Sequence, residues 1–255
     1  MKKILFAVLS FVILSANAQT ADEVIQKYTK AMGGLSAFNA VKTMRMSGTV
    51  TIQGMDLPIT VQIINGKAVR TDVDAMGQSV IKSYKDGKGW KVDPFSGAAT
   101  ATDMTNEELI DSKGQTMIAN QLMDYKARGH KVELQGQADV EGIKCYKIKL
   151  TNKDDGKVTT YFISAADNTL IKSIITRDIQ GQEMEVENFA SNIKEFGGIK
   201  FPMTRTQKIQ GMVFQEIKMT SLELNIPILQ PEKLRESESV RQVLVEFRPR
   251  KCRIR

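Results

Sequence analysis

The 255-residue sequence holds one histidine (His130), two cysteines (Cys145 and Cys252), one tryptophan (Trp90) and only 6% aromatic residues. Structural zinc needs four thiolate or imidazole ligands, so this chain cannot assemble such a site. A single histidine leaves little for Ser-His-Asp or Cys-His catalysis. No Gly-x-Ser-x-Gly, His-Glu-x-x-His, P-loop or Gly-x-Gly-x-x-Gly pattern occurs, which removes the short signatures of hydrolases, metalloproteases and nucleotide-binding folds. Beyond the N-terminus no segment approaches the roughly 18 consecutive apolar residues of a membrane-spanning helix. With 42% hydrophobic and 25% charged residues, the composition is globular rather than disordered, collagen-like or disulfide-dense. The expectation is a protein without metal or cofactor, and not an enzyme.

What the sequence has in excess is positive charge: Lys and Arg number 36 against 29 Asp and Glu, a formal net of +7. Nucleic-acid binding is the obvious reading, and the position of the charge argues against it. Lys2 and Lys3 precede an apolar run from Ile4 to Leu14, then Ser15-Ala16-Asn17-Ala18. A basic start, a short apolar run and an A-x-A end make a secretory signal, with cleavage expected after Ala18 and the bacterial periplasm as destination. A buried N-terminal helix is the alternative. Residues 231–255 hold eight Lys or Arg and four acids, which leaves 26 basic and 25 acidic residues in 19–230. The body is nearly neutral, and no nucleic-acid partner is expected.

Thr20-Ala21-Asp22-Glu23 is a capping box, and Val24, Tyr28, Ala31 and Met32 recur at helical spacing before Gly33-Gly34. From Thr43 the period becomes two. Met44, Met46, Val50 and Ile52 form one alternating set, and Leu57, Ile59, Val61 and Ile63 another. Asn65-Gly66 and Asp86-Gly87 are hairpin turns. A second capping box, Thr105-Asn106-Glu107-Glu108, opens a helical insertion through Leu109, Met117, Ile118, Leu122 and Tyr125 to Gly129. Strands then resume to residue 224. The count is about ten or eleven strands in one antiparallel sheet. A sheet this long, with few helices, must curl into a strongly bent, unclosed barrel with the helices over its mouth. The domain reading is a signal at 1–18, one half-barrel at 19–230 and a basic, disordered tail at 231–255. A membrane- or partner-binding arm, or a frameshift product, are the alternatives for that tail.

Several features have plain readings. Glu183, Glu185 and Glu187 line one strand face and diverge, as do Lys144, Lys147 and Lys149; both sets read as solvated. His130 reads as a surface residue at a helix end. Cys145 and Cys252 could pair in an oxidising compartment, or Cys145 is a lone strand cysteine. Methionine is frequent, 13 in all, and suits irregular cores or apolar surfaces that accept flexible ligands.

Asp86-Gly87-Lys88-Gly89-Trp90, Asp93-Pro94-Phe95 and Ala98-Ala99-Thr100-Ala101-Thr102 run in order into the helical insertion. Tyr161-Phe162-Ile163, Asn168-Thr169-Leu170, Asn188-Phe189 and Gly197-Gly198-Ile199-Lys200-Phe201-Pro202 follow. This series resembles the LolA-like outer-membrane lipoprotein-sorting proteins, in particular their Bacteroidetes-type members, over residues 20–226. The resemblance implies an unclosed barrel under a helical lid that carries acylated lipoproteins or lipids across the periplasm without catalysis. The implied protein is a monomer that takes its cargo from an inner-membrane release complex, touches membranes transiently and passes cargo to an outer-membrane acceptor. The alternative is a lipid- or envelope-protein-sensing regulatory module of the same fold. Candidate cavity and lid residues are Met44, Met46, Val50, Ile59, Val61, Trp90, Phe95, Met117, Ile118 and Leu122. The family holds its lid with an early-strand Arg beside a Pro. Here the local sequence is Gly66-Lys67-Ala68-Val69-Arg70, which makes Lys67 or Arg70 the candidate for that role.

Overall fold

The computed structural model describes residues 19–179 and 181–228. The expected signal, the basic tail and Cys252 lie outside them, and with Cys252 the proposed disulfide. Both capping boxes form: Thr20 and Glu23 bond reciprocally to open α1 (Ala21–Ala31), and Thr105 and Glu108 do the same for α3 (Asn106–Gln115). Between them α2 (Leu35–Ala40) leads into six strands, β1 (Thr43–Ile52), β2 (Met55–Ile64), β3 (Ala68–Ala75), β4 (Gln78–Lys85), β5 (Lys88–Asp93) and β6 (Ala98–Asp103). After α3 come α4 (Tyr125–Arg128), β7 (Lys131–Val140), β8 (Ile143–Thr151), β9 (Val158–Ser164), β10 (Leu170–Ile179), β11 (Gln182–Phe196), β12 (Ile199–Ile209) and β13 (Met212–Leu224).

The strands form one antiparallel sheet in the order β6-β5-β4-β3-β2-β1-β13-β12-β11-β10-β9-β8-β7. Its thirteen strands exceed the expected count; one of the additional strands is β6, built of small residues with no apolar alternation. The two edges, β6 and β7, are consecutive in sequence, so segment 104–130 bridges the gap where the barrel fails to close. Among the described residues six hairpins turn on two residues, X-Gly, with positive φ at both: Gln53-Gly54, Met76-Gly77, Asp86-Gly87, Glu141-Gly142, Gly197-Gly198 and Gln210-Gly211. Such turns match the right-handed twist that curls the sheet.

Register decides which side chains point inward. Met44, Ile63, Val69 and Tyr84 lie opposite one another across β1–β4, and all belong to the main core. That core also takes Ile148 and Leu150 from β8, Tyr161 and Ile163 from β9, and Ile199, Phe201 and Met203 from β12. Val24, Ile25 and Tyr28 of α1 fill one half of the concavity against them. Each such side chain contributes about 1.5–3 kcal/mol through burial. Gly33 lets α1 end there: a Cβ would meet the Gly198 carbonyl oxygen at 2.2 Å, and its φ is 112°.

Three expectations need correction. The helical insertion is not helical throughout, because residues 116–124 form turns held by side-chain bonds to backbone; Met117, Ile118 and Leu122 sit there. His130 is buried, and its Nδ1 accepts the Lys153 N–H at 3.2 Å. Lys147 and Lys149, expected to be solvated, are half-buried, and Cys145 on the same outer face is fully buried with Phe162 and Val140, as a lone apolar-strand cysteine. Burial pushes its thiol pKa up, as for an inert core cysteine.

Candidate functional site

The half of the concavity beyond α1 has an apolar wall. Rows of paired residues run Ile217–Val50–Leu57 across β13, β1 and β2, and Met219–Gly48–Ile59–Val73 from β13 to β3. Val50 and Ile59 are buried; Val61, Val73, Ile217 and Met219 are half-buried. Met44 and Met46 lie farther along the same inward face, inside the main core. Ile118 and Leu122 reach this core from the cover, and Met117 stands over the turn at Gly66. Thus eight of the ten candidate residues belong to the inward face or its cover.

Trp90 and Phe95 do not. Trp90 is paired to Ser83, and Ser83 to Arg70, on the face opposite Met44, Val69 and Tyr84. It packs outward with Ile81 and Val92. Phe95 is exposed. Neither basic candidate holds the lid: Lys67 is exposed, and Arg70 lies on the outer face, bound to Asp72 at 2.8 Å through its Nε.

The cover is held by groups that read as turn or surface residues in the sequence. Asn65 donates to the Phe38 and Val41 carbonyls at 3.2 and 2.9 Å and accepts from the Ile118 N–H at 3.3 Å. It joins α2, the β2–β3 turn and the cover. Helix α3 is tied at both sides of the opening, Glu108 to Lys91 of β5 at 2.6 Å and Asp111 to Arg177 of β10 at 2.8 Å. Burial works to raise the Glu108 pKa, but the Lys91 ammonium and the Thr105 N–H outweigh it and hold it low. Asp22 of α1 accepts from the Tyr125 hydroxyl and the Lys126 ammonium of α4. Gln121 donates to the Tyr161 hydroxyl at 2.8 Å, and burial pushes that phenol up to about 12.

The opposite wall carries one polar row beside an apolar one of Ile175, Val186 and Ile209. Ser173, Asn188, Gln207 and Gln215 form one row across β10–β13, with Gln207 donating to Asn188 at 2.9 Å. One row nearer α1 stands Arg205, continuing the inward series Ile199, Phe201 and Met203. No group of His, Cys, Asp and Glu able to hold a metal occurs among the described residues. Glu187 pairs with Lys172 at 2.7 Å, while Glu183 and Glu185 are exposed. No helix among the described residues is long and apolar enough to cross a membrane.

An unclosed antiparallel sheet curled around an apolar concavity, with helices across its mouth, defines the class. No protein-family model and no curated sequence matches the chain. Solved structures share its fold. A putative outer-membrane lipoprotein-sorting protein domain from Vibrio parahaemolyticus superposes with a TM-score of 0.58 at 8% identity, over 86% of this chain and 99% of that one. A DUF1329 family protein from Desulfovibrio piger gives 0.57 at 11%, over 82% and 95%. A LolA superfamily protein from Nitrosomonas europaea gives 0.54 at 12%, over 85% and 97%. The fold is LolA-like, as the sequence resemblance implies.

Proposed function

We propose that this protein is a non-catalytic periplasmic carrier that shields the acyl chains of lipoproteins or other lipids in its concavity. The observation that carries this reading is the inward apolar wall of Val50 and Ile59, which are buried, with Val61, Val73 and Ile217, which the described residues cover only in part. Each exposed methylene of an acyl chain costs about 0.8 kcal/mol in water, so a chain crosses an aqueous compartment only when shielded. Helix α3 of the cover rests on exposed or half-exposed ion pairs, which contribute little individually, whereas residues 116–124 are anchored by Asn65 and by Ile118 and Leu122 in the core. The α3 part of the cover is the part that opens readily. Exposed Met55, Met76, Met212, Val213 and Phe214 cluster at one rim, on the β1–β2, β3–β4 and β12–β13 hairpins, and supply an apolar edge for transient membrane contact. An inner-membrane release complex and an outer-membrane acceptor are the partners this role requires.

Mass spectrometry of lipids and lipoproteins that co-purify with the protein from periplasm tests the reading. Acylated species bound in stoichiometric amount are expected. A protein that carries none, and that fails to release lipoproteins from membranes, is not a carrier.

A further inference from the structure

Arg205 is at odds with a purely apolar carrier. Its strand alternates Ile199, Phe201, Met203 and Arg205 inward, and the first three are buried in the main core. The guanidinium lies 4.9 Å from the Phe201 ring centroid. Its side chain is open to solvent. Among the described residues no carboxylate lies within ion-pairing distance of it. An inward-facing cation over a buried ring, with no described carboxylate beside it, has no structural partner that accounts for its charge. An anion delivered by a ligand supplies one.

The surroundings suit such a ligand. Arg205 pairs in register with Ile217, and Ile217 with Val50, so its strand position borders the apolar wall, with the guanidinium reaching back over Phe201. On its other side stands the uncharged polar row of Asn188 and Gln207. The concavity therefore has a polar row within an apolar lining, and Arg205 stands between that row and the wall of Val50 and Ile217.

We propose that Arg205 seats the anionic head of an acyl-chain amphiphile whose chain lies on the wall of β13, β1, β2 and β3. The proposal rests on the acyl-chain reading above and narrows it. The ligand is a single molecule with a carboxylate or phosphate attached to its chain, rather than the neutral diacylglyceryl anchor of a lipoprotein. Arginine's fork of donors fits either oxyanion, and a charge-assisted bond is stronger than one between neutral groups.

The test uses delipidated protein loaded with the neutral fluorophore N-phenyl-1-naphthylamine and displaced by three ligands with the same chain: oleate, 1-oleoyl-lysophosphatidate and oleyl alcohol. At least one anionic ligand is expected to bind about tenfold or more tighter than the alcohol, and which of the two wins identifies the head as carboxylate or phosphate. Arg205→Gln removes that preference and leaves the alcohol's affinity unchanged, while Arg205→Lys keeps part of it. Because Arg205 is solvent-accessible, both variants are expected to melt with the wild type. Equal wild-type affinity for all three ligands, or an unaltered preference in Arg205→Gln, overturns the proposal and leaves the carrier reading standing. Failure of every ligand, including the alcohol, to displace the fluorophore overturns both.

Discussion

Arg70 stacks over Trp90 on the outer face of the sheet, its guanidinium carbon 5.5 Å from the ring centroid. Trp90 is 6% exposed, among Ile81, Val92 and Ala101. The pair braces the β3–β5 edge from behind the concavity. Trp90→Ala is expected to destabilise the protein by about 3–5 kcal/mol, the usual range for emptying a buried aromatic site, while the affinity of the folded protein for an acyl ligand stays within about twofold. Urea denaturation and ligand displacement on the same preparation check both halves. A large loss of affinity without loss of stability would return Trp90 to the cavity.

Asn65 holds three backbone groups from two other segments, so its loss reaches further than a turn substitution usually does. Asn65→Ala leaves the Phe38 and Val41 carbonyls and the Ile118 N–H without that partner. A cost of about 2–4 kcal/mol is expected, with faster hydrogen exchange concentrated in residues 116–124. Asn65→Asp keeps the acceptor for Ile118 and loses both donors, so it falls between. Uniform acceleration across the whole sheet would show that Asn65 stabilises the barrel rather than the cover.

These two sites show where the sequence is legible. Both capping boxes, the alternation in β1 and β2 and the Asn65-Gly66 turn are local patterns, and local physics decides them. Trp90 is different. Gly89-Trp90-Lys91-Val92 alternates cleanly, and the apolar set reads as inward. The structure turns Lys91 inward instead, to Glu108 of α3, because near this edge the inner face meets a polar helix. No local pattern reveals which face a helix from elsewhere in the chain will cover. The turn segment 116–124 fails for a related reason: Met117, Ile118 and Leu122 have helical spacing, but Asn65 and Asn120 bond its backbone first. Arg205 was readable, since it extends the inward parity of Ile199, Phe201 and Met203. Its significance depends on the absence of a described carboxylate beside it, which only the fold reveals.

The contact between α1 and α4 titrates. The Lys126 ammonium, then the Tyr125 hydroxyl, hold the Asp22 pKa below the ordinary 3.8. A carboxylate with a depressed folded-state pKa adds stability above its unfolded pKa and loses it as pH falls through the lower folded value. The contact is therefore intact at neutral pH and through mild acid, and weakens below about pH 4. Hydrogen exchange of α1 and of residues 121–128 is expected to quicken, relative to the sheet, in that acid range. In Asp22→Asn this acid-dependent step disappears, because the amide does not titrate. The pair is exposed, so salt weakens it as well. An acid step that persists unchanged in Asp22→Asn would assign it to another carboxylate.

Val73 separates ligand binding from folding. It sits on the inner wall opposite Ile59, half-buried, and outside the main core cluster. With no ligand bound, a glutamate there can send its carboxylate toward the solvent of the open half, so Val73→Glu is expected to cost no more than about 1 kcal/mol of stability. With an acyl chain on the wall, the same carboxylate is desolvated without a partner, and affinity is expected to fall by about tenfold or more. The outer-face neighbour Asp72→Asn is the control, since it lies one residue away and points to the other side. Displacement of N-phenyl-1-naphthylamine by oleyl alcohol, which has no charge of its own, reads the effect free of any contribution from Arg205. If Val73→Glu binds the alcohol as tightly as the wild type, the chain does not lie on this wall.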